Sequence, residues 1–224
     1  SEEEEVMSLK EEMKNLGASQ VHYVKEDIST AEGCKRLIKA VLEEAGTLHI
    51  LVNNAGIQHT QDVENFSSDS WKKVLDINLS ACFYLSQAAL SVFRKQQWGR
   101  FIHIASVHGL VASTHKAAYV AAKHGVIGMS KVIALETADE NITSNAICPG
   151  WVFTPMVYQQ IEDIAKEKNI DFDEAKRQLL QQKQPSKEFV KAESLGALAL
   201  FLSSEHGDQI TGSALTMDGG WTAQ

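Results

Sequence analysis

The run Leu48-His49-Ile50-Leu51-Val52-Asn53-Asn54-Ala55-Gly56 gathers its apolar residues into a handful of positions and then stops at two amides and a glycine. Its apolar part is too short for a helix and fits a strand covered on both faces, with a polar turn at its carboxyl end. The pattern recurs outward along the chain. Short apolar runs at 21–24, 100–106, 142–148 and 214–217 read as further strands, the one at 142–148 closed by Pro149-Gly150. Helical spacing fills the intervals. Val6, Met7, Leu9, Met13 and Leu16 mark a helix over 2–16 that Gly17 can stop, and Ser29 or Thr30 can cap a helix reaching about residue 45. A long helical stretch is expected over 67–95, helices over 113–137 and 192–202, and helix-prone sequence over 158–182. Strands that alternate with helices and are apolar on both faces call for a doubly wound α/β fold with a parallel sheet.

The chain of 224 residues, 44% hydrophobic and 22% charged, suits a single domain with a sizeable core. No internal repeat, low-complexity tract or Pro/Gly linker divides it. Twenty-nine acidic residues against 21 basic ones give a net charge of -8, which disfavours nucleic acid as a partner. No uncharged apolar run is long enough to cross a bilayer, and the start Ser1-Glu2-Glu3-Glu4-Glu5 is unlike a basic signal-peptide opening, so no membrane partner and a cytoplasmic location are expected. Cys34, Cys82 and Cys148 lack metal-site spacing and read as buried small hydrophobes, and no histidine pattern suggests a metal.

Ligands of such sheets collect beyond the carboxyl ends of the strands. Those ends carry Asp27, Asn53 to Gly56, Ser106 and Pro149-Gly150. Tyr119 and Lys123, four apart in an expected helix, share one face. An ammonium one turn away favours the phenolate and should lower the Tyr119 pKa, making it a proton donor and acceptor near neutral pH. The pair alone equally describes a half-buried Tyr beside a solvated Lys. Ser106, thirteen residues before Tyr119, and the Asn-Asn-Ala-Gly turn point at the same cleft.

With Asp76-Ile77-Asn78-Leu79 and Pro149-Gly150-Trp151-Val152-Phe153-Thr154 added, the chain from about residue 20 onward resembles the short-chain dehydrogenase/reductase family. The resemblance implies that Tyr119 is the catalytic acid/base, that Ser106 polarises the carbonyl, and that Lys123 holds the nicotinamide ribose. Asn78 would support a helix irregularity and a proton relay. For the cofactor, it implies Asp27 and Ile28 near the adenine and Asn54, Ala55 and Gly56 along the adenosine ribose. Pro149, Gly150, Val152 and Thr154 would hold the nicotinamide end. Flanking residues, among them Ile57-Gln58-His59, Val107-His108-Gly109, Lys183-Gln184-Pro185-Ser186 and Asp218-Gly219-Gly220-Trp221, are similar to a branch of that family, the bacterial D-3-hydroxybutyrate dehydrogenases. That implies NAD as cofactor, a small hydroxy acid or keto acid as substrate, and a homotetramer. A carboxylate needs a cation and neutral donors, which Lys116, Gln58, His108 and Gln160 offer if their loops converge, with Trp151 as an apolar wall. The polar, helix-prone residues 155–190 suit a lid over the substrate, with an ordinary surface helical hairpin as the alternative.

The sequence also departs from the family. Its opening strand, glycine-rich turn, helix and second strand have no counterpart before residue 20, and in the family's strand order the two strands would lie between 21–24 and 48–52. The expectation is a piece of a full dehydrogenase. The alternatives are a truncated, catalytically silent subunit that associates through its long helices, and a reductase of another small ketone or a ketoacyl thioester.

Overall fold

The computed structural model describes residues 2–223; Ser1 and Gln224 lie outside it. Four strands, β1 (Ile50–Asn53), β2 (Gly99–Ile104), β3 (Ile142–Pro149) and β4 (Ala214–Met217), form one parallel sheet in the order β1-β2-β3-β4. Val52 stands beside Ile102, Ile102 beside Asn145, and Cys148 beside Thr216. The helices are α1 (Glu2–Asn15), α2 (Ala31–Ala45), α3 (Ser68–Leu75), α4 (Ala81–Gln96), α5 (Ala117–Glu136), α6 (Pro155–Lys168), α7 (Phe172–Lys183) and α8 (Ala192–Ser203). No described helix is long and apolar enough to cross a membrane.

The two-residue period of a strand sends alternate side chains to opposite faces. Phe101 of β2 packs with Ala89 and Phe93 of α4, Ile133 of α5 and Ile142. Its neighbour Ile102 turns to the other face, against Ile147, Leu195 and Leu202. The sheet is therefore covered on both sides, as the apolar runs require. Coverage is incomplete at β1, where Ile50 and Val52 remain 41% and 49% exposed. All three cysteines are buried. Thr30 caps α2 by accepting from Gly33 N–H, and Ser67 caps α3 by accepting from Ser70 N–H, both at 3.1 Å.

One expectation is corrected and two are made more specific. Residues 21–24 join no ladder, because a strand exists only with hydrogen-bonded neighbours and the one sheet among the described residues ends at β1. The long helical stretch over 67–95 holds a π-helical turn, Asp76–Ser80, between α3 and α4, at the position where the resemblance implies an irregularity around Asn78. The helix-prone stretch 158–182 folds as a hairpin of α6 and α7. Asn169 leaves α6 in the left-handed region at φ 53°, and the Asp171 carboxylate caps α7 by accepting from Glu174 N–H at 2.8 Å.

Candidate active site

The carboxyl ends of β1, β2 and β3 open onto a cleft of about 440 Å³. Ser106 follows β2 in extended backbone (φ -178°) and begins a short 3-10 turn, Val107–Gly109. This turn lies against α5 because Gly109 has no side chain: a Cβ there would stand 2.5 Å from Ile127 Cδ1 and 2.8 Å from the Lys123 carbonyl oxygen. The close approach brings Ser106 to the α5 face that carries Tyr119 and Lys123. All three line the cleft.

Lys123 is buried, and its Nζ donates to the Ile104 carbonyl at 2.7 Å while standing 5.6 Å from the Tyr119 ring centroid. Burial lowers the Lys123 pKa, an effect opposed by the nearby Cys82 and Cys148 thiols. Burial also raises the Tyr119 pKa, and a side-chain hydrogen bond with Ser106 only partly opposes the rise. The expected lowering of Tyr119 by Lys123 is thus corrected. Desolvation of the phenolate outweighs an ammonium committed to a backbone carbonyl and facing the ring.

Asn78 sits in the π turn, completely buried, and grips the segment after β1 with both ends of its amide. Its Oδ1 accepts from Ile57 N–H and its Nδ2 donates to the Ile57 carbonyl, each at 2.8 Å. A Cβ on Gly56 would stand 3.6 Å from Asn78 Oδ1 and 3.9 Å from Lys123 Nζ. The bare glycine leaves that ammonium approachable. Thr154, which caps α6 by accepting from Val157 N–H at 3.3 Å, keeps its own hydroxyl proton at the cleft. A buried ammonium beside a bare glycine, with a hydroxyl in the same cleft lining, fits the ribose and amide of a nicotinamide.

The same cleft is lined by Gln58, His108, Lys116, Trp151 and Gln160. Lys116 Nζ lies 5.0 Å from the Trp151 ring, and burial pulls its pKa down to about 8. His108 is pushed down to about 4, first by burial and then by the positive charges of Lys116, Lys183 and His124. Trp151 Nε1 is buried without a protein acceptor. Gln184, 1% exposed, supports this wall: its Oε1 accepts from Trp151 N–H at 2.8 Å and its Nε2 donates to the Glu188 carbonyl.

Asn54, Pro149, Gly150 and Val152 also line the cleft, whereas Asp27, Ile28 and Ala55 do not. Asp27 lies in a separate depression beside Lys72 and Asp76, with Oδ1 accepting from Ser29 N–H, and Ile28 packs against the Cys34 and Ile38 cluster. The structure adds residues to which the sequence assigned no role. Trp221, 5% exposed, stands 5.4 Å from His108 and 5.5 Å from Trp151 between ring centroids. Leu195, Gly196 and Ala199 of α8 complete the apolar floor. The Gly219-Gly220-Trp221 tail was visible in the sequence, but nothing local indicated that it folds back to the ends of β2 and β3. Among the described residues no group of three acidic, histidine or cysteine side chains is placed to hold a metal ion.

A family model described as enoyl-(acyl carrier protein) reductase matches residues 1–222. The chain is 48% identical to a D-beta-hydroxybutyrate dehydrogenase of Cupriavidus necator over 204 residues, which span 91% of this chain and 79% of that protein. It is 40% identical to a D-beta-hydroxybutyrate dehydrogenase of Rhizobium meliloti over 221 residues, 99% of this chain and 86% of the relative. Among solved structures, 4-hydroxyisoleucine dehydrogenase complexed with NADH superposes with a TM-score of 0.75 at 33% identity, covering 90% of this chain and 81% of the other.

Proposed function

The chain belongs to the short-chain dehydrogenase/reductase family of oxidoreductases, and on that premise we propose that it interconverts (R)-3-hydroxybutyrate and acetoacetate with NAD as the hydride carrier. The observation that carries this reading is one cleft holding Ser106, Tyr119 and Lys123 beside Lys116, Gln58, His108 and Gln160. A small anionic ketone uses both parts of that set. Lys116 supplies the cation for the carboxylate, and the amides of Gln58 and Gln160 with the neutral His108 ring supply uncharged hydrogen bonds.

Bound nicotinamide supplies or accepts the hydride. The chain's own residues bind, orient and move a proton. Ser106 donates its hydroxyl hydrogen to the ketone oxygen, and the Tyr119 phenol gives that oxygen its proton in reduction and takes one from the alcohol in oxidation. Its raised pKa keeps the phenol protonated at neutral pH, the form that reduction uses. Lys123, with Thr154, holds the nicotinamide ribose and amide. Support for NAD comes from the solved neighbour bound to NADH.

The test is Tyr119→Phe, which removes the transferable proton and keeps the ring. Turnover of acetoacetate with NADH should fall by at least about a hundredfold, with the circular dichroism spectrum unchanged; full retained activity would refute the assignment. Assembly is part of the proposal. Phe83, Val132 and Leu135 on the outer sides of α4 and α5 are 47%, 53% and 78% exposed, an apolar surface that a homotetramer would cover. Light scattering at the monomer mass at micromolar concentration would reject it.

A further inference from the structure

We propose that His115 is a positioning residue for Lys116: its left-handed backbone and its contacts with Gln61 and Asp62 strap the start of α5 to the loop after β1, and so hold the Lys116 cation and the Gln58 amide together for the substrate carboxylate. The inference rests on the keto-acid reading above. Gln58 and Lys116 come from distant parts of the chain, yet both line the cleft. Something must hold the two loops in register.

The loop that carries Gln58 is pinned on either side of it. Before Gln58, the Asn78 amide holds both the N–H and the carbonyl of Ile57. Beyond it, Gln61 N–H donates to the His115 carbonyl at 2.9 Å, and Gln61 and Lys116 pair as an isolated parallel bridge. Alongside that bridge, His115 Nδ1 lies 2.8 Å from Asp62 Oδ1. An ionised carboxylate only accepts, so Nδ1 carries a proton and donates whether the ring is neutral or charged. The second tie of the Gln58 loop is therefore made by the residue next to Lys116.

His115 holds φ at 65°, a left-handed conformation that residues with a Cβ enter rarely and β-branched ones least. Gln97 and Asn169 are left-handed too, but they end α4 and α6, where such a residue is the ordinary stop. His115 instead precedes a helix, and its conformation delivers the chain to Lys116, the residue that opens α5. Its side chain and that of Asp62 are each 56% exposed, so contacts along the strap rather than burial hold the conformation. His115 does not line the cleft, so it acts through its neighbour.

Steady-state kinetics with acetoacetate and with an uncharged ketone of similar size tests the strap. His115→Val removes the ring and disfavours the left-handed backbone. It should raise KM for acetoacetate about fivefold with kcat unchanged, and leave KM for the neutral ketone level, the pattern of a lost binding contact. His115→Asn, which tolerates that backbone and can donate to Asp62, should restore the wild-type KM. Asp62→Ala, a surface change that leaves the backbone alone, should raise the same KM about threefold, the worth of an exposed pair, and decides the matter if the valine variant does not fold. Combined with Lys116→Ala, His115→Val should add less than it does alone, because the cation it positions is gone. An unchanged KM, an equal rise for both ketones, failure of His115→Asn to restore it, or effects that multiply fully in the double variant would each overturn the proposal. A wild-type chain with no preference for acetoacetate would refute the keto-acid reading and this inference with it, a failure visible before any variant is made.

Discussion

Lys116 is the residue on which substrate choice turns, and its burial has a measurable consequence. Desolvation lowers its pKa to about 8, so the cation that meets a carboxylate is present below that pH and is lost as the pH rises through it. KM for acetoacetate should therefore rise above about pH 8 while KM for an uncharged ketone of similar size stays level. Lys116→Ala should raise KM for the keto acid by at least about tenfold at pH 7, the worth of a charge-assisted hydrogen bond, and leave the neutral ketone unaffected. Equal damage to both substrates would assign Lys116 a structural role and favour a ketone without a carboxylate. Tyr119 teaches a related lesson. Its partner Lys123 is four residues away, as the sequence requires, but spacing along a helix does not reveal desolvation or the carbonyl that claims the ammonium.

Among the elements, the π turn Asp76–Ser80 and the α6–α7 hairpin shape the site most. The turn aims Asn78 inward, where its amide locks Ile57 and keeps the Gly56 backbone close to Lys123. The hairpin has its own core of Val157, Ile161, Ala175 and Leu179, so it can move as a unit while Met156, Val157 and Gln160 border the cleft. It is anchored at its base by Gln184 and by the bridge between Val152 and Val190. As a lid, residues 155–190 should become resistant to limited proteolysis when cofactor and keto acid are added together. Identical cleavage with and without the ligands would make the hairpin an ordinary surface feature.

At the scale of the whole molecule, a buried polar chain crosses the sheet beneath the site. His103 of β2 lies 3.0 Å from Asn53 Nδ2 of β1 and 3.2 Å from Ser144 Oγ of β3, and Ser144 in turn meets Ser130 of α5 at 2.9 Å. Complete burial, reinforced by the Lys123 charge, lowers the His103 pKa from 6.5 to about 4. The unfolded chain therefore takes up a proton below pH 6.5 that the native state refuses until about pH 4. Stability from this residue is complete above 6.5 and declines as the pH falls toward 4. His103→Gln should remove roughly 2–3 kcal/mol of the stability difference between pH 7.5 and 4.5, measured by urea unfolding at both pH values. An undiminished difference would show that other groups govern acid unfolding.

The linear chain already determined the alternation of apolar runs and amphipathic segments, hence a parallel sheet with helices on both sides. It also determined the order of Ser106, Tyr119 and Lys123, because strand ends and helical spacing are local properties carried by neighbouring residues. Contacts between distant segments were beyond it. The fold-back of Trp221 onto His108, the latch of Gln184 on Trp151, the separation of Asp27 from the cleft and the absence of a ladder at 21–24 depend on what each segment meets in space. The same holds for the charge states of Tyr119, His108 and Lys116. A pKa in a cleft is set by the water removed and the charges brought near, and only tertiary packing decides either.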